Sequence, residues 1–190
     1  MVIITKIEAA HRQLTTAIRM FFNDDDIAAV HTLAGAAREL YEKHCAARGV
    51  PRMFETIKEA NPDKTEKELW NILNGSRNFL KHPDPSHDLD AALDIDDETN
   101  ASTLFIACHD CAMLCGRDQP LEVQAFNAWF LATRFPEPTM LASAGDAEST
   151  RVAAIQSGLQ AALPGLREAL PTDQKRIGLR LLEDAPELMQ

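Results

Sequence analysis

Basic residues are scarce in this chain: 19 Lys and Arg stand against 29 Asp and Glu, for a formal net charge of -10. That balance disfavours a broad nucleic-acid-binding surface, which needs a dense field of cations, and leaves room for a small local basic site. Aromatic residues amount to 6%, with a single Tyr, and neither an aromatic residue nor a His occurs after Phe135. Long apolar runs are missing as well. No segment approaches the roughly 18 to 20 apolar residues that span a bilayer, so no membrane partner is expected. The opening Met1-Val2-Ile3-Ile4-Thr5 has too short an apolar run for a secretory signal, and a cytoplasmic protein is expected. β-branched residues are scattered, which argues against a sheet. There is no internal repeat, no low-complexity tract, no Gly-rich phosphate loop and no nucleophile elbow.

What remains is an ordinary globular composition: 190 residues, 45% hydrophobic and 25% charged. The length suffices to bury a sizeable core without staples. Cys45, Cys108, Cys111 and Cys115 are unevenly placed and read as reduced thiols. The expected fold is all-α, an antiparallel bundle of five or six helices over residues 1–135, with a C-terminal helical hairpin over 136–190 packed on the same domain.

The first helix is predicted over 6–22, because Thr5-Lys6-Ile7-Glu8 has the form of a capping box. Ile7, Ala10, Leu14, Ala17, Ile18 and Phe21 recur at helical spacing as its buried stripe. Asn23-Asp24-Asp25-Asp26 breaks the pattern and sets carboxylates at the positive end of the next helix. That second helix, over 26–47, buries Ile27, Val30, Ala34, Ala37 and Tyr41 and stops at Gly49. Ala34-Gly35-Ala36-Ala37 leaves so little bulk that a neighbouring helix can approach closely. A short third helix runs from Pro51 to Ala60.

A second capping box, Thr65 to Glu68, opens the fourth helix, which continues to about Lys81 before Pro83 stops it. Leu69, Ile72, Leu73, Ser76, Phe79 and Leu80 fall on its inward face. An irregular acidic stretch follows. The fifth helix, from about Asn100, and the sixth, over 120–135, are the most hydrophobic and are expected at the centre. In the tail, helices are expected over 148–163 and 173–183, the second capped by Thr172 and the two separated by Pro164-Gly165.

Chemistry is concentrated at the end of the fourth helix, in Arg77-Asn78-Phe79-Leu80-Lys81-His82. Asn78 and His82 are four residues apart and so neighbours on one face, as are Arg77 and Lys81. Arg77 and His82 lie roughly 140° apart on an ideal helix, and Pro83 pushes His82 towards an extended conformation. The ordinary reading of such residues is that they complement the helix dipole and cap its last carbonyls.

The same run resembles the R-x4-6-H motif of the HEPN superfamily of small helical nucleotide-binding domains. The resemblance covers six residues and the all-helical setting. It implies a homodimer in which two motifs meet at a cleft and RNA or a nucleotide is bound, with metal-independent endoribonuclease activity in many members and no cofactor. In that scheme His82 transfers protons, Arg77 stabilises the phosphate, Asn78 orients the histidine and Lys81 contributes to substrate binding. Other members serve only as dimerisation or protein-interaction modules. His31-Thr32-Leu33 together with Asn78-Phe79-Leu80-Lys81-His82 also resembles a group of uncharacterised bacterial all-helical proteins, a likeness that gives Asn78, Lys81 and His82 more weight than Arg77.

Two further constellations stand beside this one. His82, Asp84, His87, Asp88 and Asp90, with His31 or His109, carry donors for a divalent metal, although their spacing matches no established motif and solvated carboxylates are the usual outcome. Cys108, Cys111 and Cys115 project from the apolar face of the fifth helix, where cysteine behaves as a small hydrophobe. No metal site is therefore expected there. His11, His31 and His44 read as core or boundary histidines with satisfied hydrogen bonds.

Overall fold

The computed structural model describes residues 1–81, 90–135, 154, 156–161 and 163–188. Among these the regular elements are helices: α1 (Lys6–Phe22), α2 (Ile27–Arg48), α3 (Met53–Ala60), α4 (Glu66–Lys81), α5 (Asp97–Cys115), α6 (Leu121–Arg134) and α7 (Pro171–Leu188), with a 3-10 turn at Gly116–Asp118 after α5. The expected all-α fold is the observed one.

Local chemistry sets the helix ends. In both capping boxes the threonine amide donates to the glutamate three residues on, at 2.7 Å from Thr5 to Glu8 and 2.7 Å from Thr65 to Glu68, and each glutamate amide returns a bond to the threonine hydroxyl. Gly49 ends α2 in the left-handed conformation, φ 65°. α5 begins three residues earlier than its apolar periodicity suggests. Asp96 is its N-cap, accepting from the Thr99 amide at 2.7 Å, so polar residues 97–99 form the first turn.

α1 and α2 pair as a hairpin, and α2 lies against α5 on its other side. The stripe expected for α1 is buried from Ala10 onward, with Phe22 added. α6 is buried on nearly every side from Val123 to Thr133. Phe21, Phe22, Phe126 and Trp129 meet in mutually tilted or edge-to-face contacts with centroids 5.1 to 5.9 Å apart. Such pairs contribute about 0.5–1.5 kcal/mol each beyond the area they bury. α5, expected at the centre, touches α1, α2, α3 and α6, while α2 carries α1, α4 and α5 around it.

The expected tail hairpin is described in part. Residues 154 and 156–161 are helical, while 148–153, 155 and 162 lie outside the described residues. α7 packs on α6 and α1. The Trp129 indole N–H donates to the Gln174 carbonyl at 2.7 Å, satisfying the one polar atom of a side chain only 1% exposed. Lys175, 4% exposed, bridges Asp24 at 2.6 Å and Asp97 at 2.7 Å, and its ammonium stands 4.7 Å from the Phe21 ring centroid. Asp24 itself adopts φ 60° in the α1–α2 turn, a conformation that aspartate tolerates better than most residues.

Gly178 makes the closest approach. A Cβ there would lie 2.1 Å from Cε1 of Phe22, which is 3% exposed. Gly178→Ala is therefore expected to destabilise the fold by roughly 1–3 kcal/mol through overpacking, measured by thermal unfolding, and Phe22→Leu in the same chain should restore part of the loss.

Candidate functional site at the end of α4 and the groove beside it

α4 sits on a second face of α2 that apolar periodicity does not reveal. His31, Gly35, Arg38 and Glu42 follow one another at spacings of four, three and four residues, and all four are buried. Arg38, 3% exposed, donates from its guanidinium to the Leu73 carbonyl at 3.3 Å and to the Asn74 side chain. Burial pulls its pKa below the usual arginine value, a shift opposed by the nearby Glu42 charge and reinforced by Arg77. Glu42 accepts from Arg52 at 2.9 Å, and Arg52 in turn holds Glu55 at the start of α3. Asp110, 1% exposed, reaches across from α5 to accept the Met53 amide at 2.8 Å.

This seating decides where the motif residues go. Arg77 turns inward: its side chain is 12% exposed, ion-paired with Glu39, and its Cδ lies 2.8 Å from where a Cβ on Gly35 would stand. The small-residue stretch of α2 is thus the site of close approach, and the group that uses it is the arginine stem. Asn78 and Lys81 are exposed. Arg77 and Asn78 are accordingly directed apart. His82 lies outside the described residues, as do Asp84, His87 and Asp88 of the acidic stretch.

The inward register of α4 also differs from expectation. Leu69 is buried and Leu73, Ser76 and Leu80 are half-buried, but Ile72 is 65% exposed and Phe79 44% exposed. α2 offers a glycine and a carboxylate opposite Arg77, and taking them rotates α4 so that Ile72 and Phe79 leave the core.

Between α4 and α5 runs an open groove of about 340 Å³, lined by Ile72, Leu73 and Ser76 on one side and by Thr99, Ser102, Thr103 and Ile106 on the other, with His31 among its lining residues. Asn100 fixes the tautomer of that histidine. Its amide nitrogen donates to the Ile27 carbonyl at 3.0 Å, so its Oδ1, 3.0 Å from His31 Nδ1, is the acceptor. Nδ1 carries the proton, and Nε2 presents a lone pair. Burial lowers the His31 pKa, the bond to Asn100 opposes the shift, and the Arg38 charge adds to it. Asp96 and Glu98 at the rim are already engaged, by Thr99 and by Arg134 at 2.7 Å. Among the described residues, no Lys or Arg lines the groove.

Expected histidine partners are present. His11 meets the Tyr41 hydroxyl at 2.7 Å and His44 Nδ1 lies 2.7 Å from the Leu40 carbonyl. What periodicity missed is the polar stripe of α2 and the His31–Asn100 pair. The stripe's signal in the sequence is His31, Arg38 and Glu42 at helical spacing, roughly 100° round the helix from the apolar stripe; the pair has none. Compared with models of known families, with curated proteins and with solved structures, the chain matches none.

His11 and His31 both have pKa values held below the ordinary 6.5, in each case chiefly by burial. The unfolded chain therefore binds more protons than the folded one just below that value. Stability is fully present above pH 6.5, falls as pH is lowered, and levels off below the folded-state values. Urea unfolding across this interval should show the decline, and His31→Gln should make it shallower.

Proposed function

We propose that the chain is a HEPN-like helical module that works as a homodimer joined through the outer side of α4. It binds RNA or a nucleotide at the exposed C-terminal end of that helix and cleaves RNA without a metal. The observation that carries this reading is the outward side of α4. Ile72 and Phe79, seven residues apart and so nearly in register, are uncovered there, and exposed Asn78 and Lys81 occupy the last turn leading to His82. Pairing two such helices would cover the apolar side chains and bring two copies of the motif near one another.

In this scheme His82 transfers the proton, Asn78 orients it and Lys81 meets the phosphate backbone. Arg77 reaches phosphate only by leaving Glu39. The net charge of -10 limits the number of phosphate contacts, so affinity should fall only shallowly with salt. The same exposed apolar pair supports a second reading, a dimerisation or protein-interaction module without enzymatic activity. A divalent-metal site in the acidic stretch would rest on His82, Asp84, His87 and Asp88, which lie outside the described residues, together with Asp90.

Light scattering of the full chain is expected to give a dimer, and Ile72→Asp with Phe79→Asp a folded monomer. RNA should be cut in excess chelator, and the activity should vanish in His82→Ala with an unchanged circular dichroism spectrum. A persistent monomer without cleavage of a broad RNA panel would overturn the proposal, and a dimer without cleavage would leave the second reading. Arg77→Ala is expected to cost roughly 1–2 kcal/mol of stability. Glu39→Gln, which releases the guanidinium, should raise RNA affinity if Arg77 contacts phosphate and leave it unchanged if Arg77 only seats the helix.

A further inference from the structure

At the other end of α2 three helices bring a second set of reactive side chains together. Tyr41 is ten residues beyond His31, about 15 Å along the helix axis, and its hydroxyl lies 2.7 Å from His11 Nδ1. Facing the same imidazole from α5 are Cys111, with Sγ 4.0 Å from Nδ1, and Cys115, with Sγ 4.0 Å from Nε2. One ligand atom from each of His11, Cys111 and Cys115 lies within 4.8 Å of the other two. The cysteines form no disulfide.

We propose that His11, Cys111 and Cys115 form a binding site for a zinc-like cation, held by one imidazole nitrogen and two thiolates. Cysteines four residues apart on a helix place both sulfurs over one turn, the spacing at which helical metal ligands recur. Zinc bonds of about 2.3 Å to sulfur and 2.0–2.1 Å to nitrogen put tetrahedral ligands roughly 3.5–3.8 Å apart. The cluster therefore needs to contract by only about 1 Å. Thiolates select a borderline or soft ion over magnesium and calcium, which take oxygen ligands.

The surroundings supply what such a site needs. Tyr41 is wholly buried and fixes the ring through Nδ1, which leaves Nε2 as the ligand atom. Cys111 is buried, whereas Cys115 and His11 are half-buried, so an ion enters from the Cys115 side. On binding, two S–H bonds break and two S–metal bonds and one N–metal bond form, releasing two protons to solvent. Three protein ligands leave a fourth position for water or another small ligand, the arrangement of zinc centres that remain open. Cys108, fully buried, and Cys45, which donates to the Asp110 carbonyl at 3.5 Å, take no part.

The test is titration of the metal-free full chain with Co2+ under a non-thiol reductant, followed through the thiolate-to-cobalt charge-transfer band. The expected result is one equivalent of Co2+ bound, displaced by Zn2+ and indifferent to excess Mg2+. Cys115→Ser, at a half-exposed position that folding tolerates, should halve the band and weaken binding at least tenfold. His11→Ala should weaken binding to a similar degree while keeping the band. Tyr41→Phe should keep the band and weaken binding roughly 10–100-fold, and Cys45→Ser should change nothing. A folded, reduced chain without the band would overturn the proposal. So would a band that survives Cys111→Ala together with Cys115→Ser.

Discussion

The arrangement of this molecule depends on burying a guanidinium. Arg38 sits in the middle of α2 with almost no solvent access, and an unpaired charge in that position costs several kcal/mol. Each helix packed near it supplies something that offsets the cost. α4 gives the Leu73 carbonyl and the Asn74 side chain; Glu42 stands one turn further along α2, and Asp110 adds a carboxylate from α5. Those acids are not dedicated to Arg38: Glu42 also takes Arg52, and Asp110 also takes the first amide of α3. One charged centre thereby fixes the seating of α3, α4 and α5 against α2. Hydrophobic packing, which has no direction, could not specify those rotations alone.

That centre explains how much of the fold was legible beforehand. Helix starts were written plainly in Thr5-x-x-Glu8 and Thr65-x-x-Glu68, because a cap is a local interaction between residues three apart. The buried stripe of α1 was readable for the same reason. The rotation of α4 was not, since apolar periodicity assigns Ile72 and Phe79 to the interior, and only the presence of Gly35 and Glu39 across the interface turns Arg77 inward instead. A sequence shows that Gly35 leaves space; it does not show which side chain fills it.

The candidate site was legible to a similar depth. The concentration of Arg77, Asn78 and Lys81 at the end of α4 marked a place of interest, and Asn78 and Lys81 do face solvent there. The division of labour among them came from packing, which takes Arg77 into an ion pair and leaves its neighbours outside. His31 read as a core histidine, and it is buried; its partnership with Asn100, 69 residues away, is a tertiary fact with no local trace. Cysteine periodicity correctly put Cys108 in the core but could not foresee that His11, a hundred residues earlier, stands beside the other two sulfurs of its helix.

Lys175 has a consequence for how the protein is made. Its partners, Asp24 and Asp97, lie 151 and 78 positions earlier in the chain, so the clasp between the α1–α2 turn and the start of α5 closes only when α7 arrives. On the ribosome, synthesis runs from the amino end. Until residues 171–178 emerge, Phe22 lacks the glycine surface that covers it and the Trp129 indole has no carbonyl to meet. Until α7 emerges the bundle is an open vessel, with aromatic contents exposed to whatever chaperone or neighbouring chain reaches them first, and α7 is the stopper.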